Sequence, residues 1–191
     1  VLGRWDRRVN NDSKGAHLFI TFWEKTKGGA GFWNTKFDPE NPVATPSDLN
    51  IEGRAGAKLL TALREAVDEI TAAGIALYAP LGEVVTRANG DEKIAIHGGP
   101  GGAGILNNQR SRPVEGGMTP VHGSSYIQIV GFDEGGPVAD AILSYSQSTN
   151  PASPFYADQT RNYSAKKWHR LPFSDEEIKA ARIGETVTIS E

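Results

Sequence analysis

Hydrophobic residues recur along this chain with two different periods, broken by long stretches that show neither. In DSKGAHLFITFWEKT (12–26), Ala16, Phe19, Ile20 and Trp23 fall at helical spacing behind a capping candidate, Asp12 or Ser13. The spacing predicts a short helix that ends before Gly28-Gly29. RAGAKLLTALREAVDEITAAG (54–74) carries a stronger signal, with Leu59, Leu60, Leu63, Val67 and Ile70 forming one apolar stripe. Lys58, Arg64, Glu65 and Asp68 lie largely off that stripe, and Gly74 supplies the stop. GEVVTRANGDEKIAIHG (82–98) predicts a hairpin, with two β-rich runs flanking Asn89-Gly90.

Period-two alternation returns late. SSYIQIVGF (124–132) predicts a strand, and VADAILSYS (138–146) its partner across the turn Asp133–Pro137. A helix is expected from about Ser153-Pro154, with Pro at the first helical position. Ser174 and Glu177 in FSDEEIKAAR (173–182) form a capping box, and ETVTI (185–189) predicts a last strand. Segments 28–53 and 98–120 are rich in Gly, Pro and Asn with no period, and loops of that length are uncommon inside a compact domain. Such segments either line a site or pack against protein outside this sequence, and the second is the better expectation.

Composition narrows the picture modestly. The 191 residues suit one domain, and 38% apolar with 23% charged residues favours folding over disorder. A net charge of −3 gives no footprint for nucleic acid, and no apolar run is long enough for a membrane helix. The opening VLGRWDRRVNND has the pattern of neither a signal nor a transit peptide. Without cysteine there can be no disulfide, thiolate metal site or cysteine nucleophile in this chain.

The candidate chemistry is thin. Gly99-x-Gly101-x-x-Gly104 follows a predicted strand, but a dinucleotide site needs a helix to begin there. The chain continues ILNNQRSRPVEGG without a helical stripe, and Pro100 removes a donor, so the stretch is expected to be a plain loop. His17, His97, His122 and His169 show no metal-ligand spacing. His122 precedes Gly123-Ser124-Ser125, yet catalytic partners usually come from separate elements, so an orienting or packing role is expected of it. The basic run AKKWHR (165–170) suits the cationic end of a helix, and the sequons at Asn11 and Asn162 are too common to carry weight. From these residues alone the chain is a soluble α+β piece with polar, specific-looking loops and no visible catalyst.

The polar stretch SQSTNPASPFYADQTRNYSAKKW (146–168) changes that picture. It resembles a signature near the C-terminus of the β chain in the penicillin acylase family. The nearest pattern is the branch of acyl-homoserine-lactone and aculeacin-type lipopeptide acylases. RWDRRVNNDSKGAHLF (4–19), IHGGPGGAGILN (96–107), VHGSSYIQIVGF (121–132) and LPFSDEEI (171–178) resemble further family segments in the same order. Residues 27–75 carry helix signals and nothing family-specific. Phe155 departs from the pattern, which usually has His after Ser-Pro.

The resemblance implies an α+β fold that forms the C-terminal portion of an αββα N-terminal-nucleophile hydrolase sandwich, with long irregular loops. The whole of 1–191 would be one segment of an acylase β chain: helix and loop over 1–75, a hairpin over 82–98, core strands and closing helices over 121–191. It implies amide hydrolysis through an acyl-enzyme on an N-terminal Ser, whose own amine is the base. Val1 has no hydroxyl, and by the family's order both that Ser and the oxyanion-hole Asn lie before Arg4. No catalytic, cofactor or metal residue is therefore expected in this chain, and the structural calcium common in the family would lie elsewhere. In some relatives a carboxylate on the strand matching 124–132 orients a catalytic His; the nearest position here is Gly131, and the role does not carry over. Asn150, Ser153, Pro154, Asp158, Gln159 and His122 are expected to be structural. In that reading Ser153, Asp158 and Gln159 are buried hydrogen-bonding groups, and Pro151 and Pro154 fix the loop's path. The implied partners are the rest of the β chain, the α chain and an acylated amine substrate, with neither nucleic acid nor membrane, in the periplasm or outside the cell. The rival expectation is an independently folded, non-catalytic binding module with a closed core.

Overall fold

The computed structural model describes residues 1–184 apart from 28 and 30, together with residue 187. They form two compact units, Val1–Ser124 and Ser125–Glu191. Helices and strands are mixed in both, so the chain is α+β. Among the described residues no helix is long and apolar enough to cross a membrane.

The first unit is organised by two helices, α1 (Ala16–Lys25) and α2 (Gly53–Ala72). The first carries no side-chain cap: its N-cap is Gly15 at φ 81°. Ser13 is buried instead in the preceding turn, donating to Asp6 Oδ2 at 3.0 Å and accepting from the Asn10 N–H at 3.2 Å. Its carbonyl accepts from Leu81 N–H at 2.9 Å, so Ser13 fastens the N-terminal loop to the segment after α2. The inward face of α1 is Ala16, His17, Leu18 and Thr21, rotated from the predicted stripe. The aromatic residues of that stripe form a stacked edge, with Phe19 between Trp5 (4.6 Å) and Trp23 (5.9 Å).

Helix α2 buries Gly56, Leu59, Ala62, Ala66 and Ile70. Small residues hold the centre of that face, so Leu60, predicted inside, is exposed, and Leu63 and Val67 lie half-buried. The predicted stop at Gly74 is present as a Schellman turn: Ile75 N–H reaches Ile70 O, Gly74 N–H reaches Thr71 O, and Gly74 has φ 72°. Lys25 Nζ on α1 pairs with Glu69 Oε2 on α2 at 2.6 Å.

Strands fill much of what the sequence suggested was irregular. β1 (Trp33–Thr35) and β2 (Ser47–Leu49) pair across 28–53. Residues Leu81–Val84 form one helical turn, α3, rather than the first half of a hairpin. The hairpin is shorter, β3 (Thr86–Asn89) against β4 (Glu92–Ala95), and closes at Gly90-Asp91, one residue beyond the expected turn. Within 98–120 stands an unexpected second hairpin, β5 (Gln109–Val114) with β6 (Gly117–Gly123). Its register slips between Arg110 and Ser111, leaving Val121 as the extra residue of a bulge. Polar inward positions and the prolines at 113 and 120 hide this pair from an alternation test.

The second unit holds a three-stranded antiparallel sheet in the order β7 (Tyr126–Asp133), β8 (Gly136–Leu143), β9 (His169–Leu171). The predicted pair β7–β8 forms over eight register positions, with a tighter turn than expected at Glu134-Gly135. Helix α4 (Asp158–Ser164) starts four residues after Pro154, so Pro154 is not at its first turn. AKKWHR is not the end of that helix either: Lys166 turns the chain at φ 54°, and His169–Leu171 becomes the edge strand β9. The capping box appears as predicted on α5 (Asp175–Ala181), with Ser174 Oγ accepting from Glu177 N–H at 3.1 Å and Glu177 Oε2 accepting from Ser174 N–H at 3.0 Å. The strand expected at 185–189 falls outside the described residues, apart from Val187.

Candidate functional site

In the second unit the polar side chains of 144–169 form the densest group. Thr160 is fully buried on the inward face of α4, between Ala157 and Tyr163. Its N–H donates to Ser146 Oγ at 3.3 Å, and the two hydroxyl oxygens lie 3.3 Å apart. This bond ties the chain after β8 to the helix that follows. Asn162 Nδ2 donates to His169 Nε2 at 3.1 Å, tying the same helix to β9. Thr160 was not singled out in the sequence, and His169 only as one of four histidines without metal-ligand spacing, although Ala157, Thr160 and Tyr163 repeat at spacing three.

The six residues singled out there are distributed as follows. Asn150 Oδ1 accepts from Ala152 N–H at 3.0 Å, and Ser153 Oγ accepts from Phe155 N–H at 3.2 Å, so both stabilise local turns. Pro154 is exposed between them. Ser153, Asp158 and Gln159 are half-buried as residues, and Gln159 Nε2 donates to Asp158 Oδ2 at 3.0 Å. His122 belongs to the first unit, where it is exposed on β6 opposite Arg110. Phe155, at the position that departs from the family signature, is exposed.

The first unit has a buried polar seam of its own. An enclosed cavity of about 30 Å³ is lined by His17, Thr21, Glu24, Glu69, Gln109 and Ser111 among others. His17 is 1% exposed; its Nε2 donates to Ala76 O at 3.0 Å, while Nδ1 meets no partner among the described residues. Burial holds the His17 pKa below its ordinary value, opposed in part by the bond to Ala76. Glu24 is pushed the other way, upward by desolvation and against the attraction of Arg110.

The glycine-rich loop uses its amides internally. Gly98 N–H reaches Val9 O, Gly99 N–H reaches Asn107 O, and Gly101 N–H reaches Asn108 Oδ1 at 3.0 Å. Asn107 Nδ2 donates to His97 Nδ1 at 2.8 Å, closing the loop over itself. A strand follows the loop, not a helix, so no row of free donors is arranged for a pyrophosphate. Among the described residues no three acidic or histidine side chains gather as metal ligands would. What these arrangements do chemically is hold backbone segments in register.

The penicillin amidase family profile matches residues 1–180. The chain is 38% identical over 194 aligned positions to the acyl-homoserine lactone acylase PvdQ of Pseudomonas savastanoi pv. phaseolicola, covering 100% of this chain and 25% of that protein. It is also 38% identical over 182 positions to the aculeacin-A acylase of Actinoplanes utahensis, covering 94% of this chain and 22% of the relative. It therefore spans about a quarter of the length of the curated relatives it matches. The chain therefore belongs to the penicillin amidase family.

Proposed function

We propose that this chain is the C-terminal part of the β chain of an acylase that hydrolyses the amide bond of N-acylated small molecules, of acyl-homoserine lactone, lipopeptide or β-lactam type. The observation that carries the reading is β7. Val130 and Phe132 point to one face of the strand and Ile129 to the other, and they are 46%, 85% and 59% exposed. A strand with apolar residues open on both faces belongs in the middle of a larger body, which agrees with a span of one quarter of the relatives. An independently folded binding module would have closed its core over such residues.

In this reading the chain completes an αββα sandwich whose other parts are the rest of the β chain and the α chain, in the periplasm or outside the cell. The chemistry belongs to a Ser at the N-terminus of that β chain. Its hydroxyl attacks the amide carbon, its α-amine takes the proton and passes it to the leaving amine, and water then releases the acid. Backbone N–H groups and an Asn amide hold the oxyanion. The residues described here hold the scaffold and take no part in the proton transfers.

The test is a denaturing intact-mass spectrum of the purified enzyme, joined to an amide-hydrolysis assay with acyl-homoserine lactones and acylated peptides. The expected result is a polypeptide beginning with Ser and hydrolysis that a Ser→Ala change there abolishes. Hydrolysis by the 20.5 kDa chain alone would overturn the reading, as would an enzyme indifferent to that Ser.

A further inference from the structure

Asn89-Gly90 marks the first hairpin, and it carries a second chemistry that a turn does not use. It is the one place in the chain where glycine follows asparagine. The amide carbon of an asparagine is open to attack by the backbone nitrogen of the next residue, which closes a cyclic imide. A side chain on that next residue crowds the approach, and glycine has none.

The fold leaves this nitrogen accessible. The ladder between β3 and β4 ends at the pair Asn89↔Glu92, so Gly90 lies outside it, in the loop. Its N–H meets no acceptor among the described residues. Gly90 and Asp91 are exposed, and nothing lies within 4 Å of the place a Gly90 side chain would begin. The electrophile is held nearby, with Asn89 Nδ2 donating to Glu92 Oε2 at 3.0 Å. That bond and the extended backbone restrain the amide while the hairpin is closed, so the ring forms from an opened tip. Opening there is easy. β3 and β4 have four residues each and form a sheet of their own without a third strand. Buried Ile94 anchors the hairpin nearer its base, which confines the fraying to the tip.

We propose that Asn89 is a site of spontaneous covalent modification, ageing to isoaspartate and aspartate through a cyclic imide with Gly90. The Gly90 nitrogen bonds to Asn89 Cγ and the Cγ–Nδ2 bond breaks. The proton lost from the Gly90 N–H is relayed by solvent and departs with the amide nitrogen as ammonia. Water then opens the ring. Attack at Cγ gives aspartate, and attack at the backbone carbonyl carbon of residue 89 gives isoaspartate, with the main chain rerouted through the side chain. Nothing is oxidised or reduced. Either product sets a carboxylate beside Glu92 where an amide donor stood, so an attraction becomes a repulsion across the hairpin. Isoaspartate also lengthens the backbone by a carbon and breaks the register at Asn89↔Glu92. The chemistry needs only the hairpin tip and water, so it is independent of the acylase reading.

The test uses the complete gene product, kept in mildly alkaline buffer made with heavy-oxygen water and digested at intervals for peptide mass spectrometry. The expected result is loss of ammonia and gain of a solvent oxygen at residue 89 before Asn50 or Asn162 reacts, with isoaspartate exceeding aspartate. An Asn89 that stays amidated, or that converts no sooner than Asn50 and Asn162, overturns the proposal. Aspartate without isoaspartate also overturns it, because direct hydrolysis would then have bypassed the ring.

Discussion

Gly56 lies one turn into α2, and replacing it by alanine sets two effects against each other. In an ordinary helix interior the change is favourable by about 1 kcal/mol, because alanine loses less backbone entropy. Here the chain enters the helix through a tight reversal at Gly53, φ 51°, which lays the Ile51 carbonyl over the first turn. A Cβ on Gly56 would overlap the Ile51 carbonyl oxygen and stand 2.6 Å from its carbonyl carbon, against an ordinary contact of about 3.5–4.0 Å. The obstacle is backbone, which cannot rotate aside as a side chain can. Overpacking of this kind costs about 1–3 kcal/mol. Moving residues 51–53 to relieve it also endangers the bond from Gly56 N–H to Glu52 O at 2.9 Å, worth about 1 kcal/mol. The net expectation for Gly56→Ala is a loss of about 1–3 kcal/mol. With a urea slope of about 2 kcal/mol/M, that moves the unfolding midpoint down by about 0.5–1.5 M at unchanged slope. Gly102→Ala is the control: nothing lies within 4 Å of its Cβ, and its stability should stay within about 0.5 kcal/mol of the parent. A Gly56→Ala protein as stable as the parent, or more so, would refute the reasoning, because the helix gain would then stand unopposed.

His17 makes a pH prediction. Its folded-state pKa is depressed, so the unfolded chain takes up a proton first as pH falls below the ordinary histidine value. Its contribution is complete above that value and is lost as pH falls through the depressed one, so the urea midpoint should drop more between about pH 7.5 and pH 5 in the parent than in His17→Gln. Ser174→Ala should remove about 1 kcal/mol from α5 and speed amide exchange at Glu177 and Ile178 without altering the first unit. The carboxylate half of that box has a lowered pKa through the N–H groups of Phe173 and Ser174, so α5 should keep its cap above the ordinary Glu range and fray as pH falls through the lowered value, which NMR shifts of those amides would register.

Legibility in the sequence followed how much of each element's cause was local. The Gly74 stop and the Ser174–Glu177 box are set by residues within one turn, and both appear where the sequence puts them. The pair β7–β8 joins two alternating runs across a short turn and was equally visible. Hairpin β5–β6 was not, because its inward residues are Gln109, Ser111 and Pro113 rather than a hydrophobic row. Strand β9 is three residues long and owes its conformation to pairing with β8, which no local pattern announces. Leu60 joined the predicted stripe by spacing, but the size of Gly56, Ala62 and Ala66 decides which side of α2 is buried. The signature stretch 146–168 contains the buried bond between Ser146 and Thr160, which could be found only by folding the chain.

Strand β7 also bears on how such a chain is made. Its pairing with β8 is contiguous in sequence, and hairpins of this kind close within about 1–10 μs. Among the described residues no strand lies along its other side, so the ribbon has an open edge as well as two apolar faces. In the proposed acylase reading, register is thus settled long before the rest of the enzyme can arrive to cover it. During that interval the ribbon is a template for strand addition by any neighbouring chain. Yield in a producing cell should accordingly depend on synthesis rate and temperature more than on the stability of the finished enzyme. Slowing translation or lowering growth temperature, rather than adding stabilising substitutions, is the remedy this strand calls for.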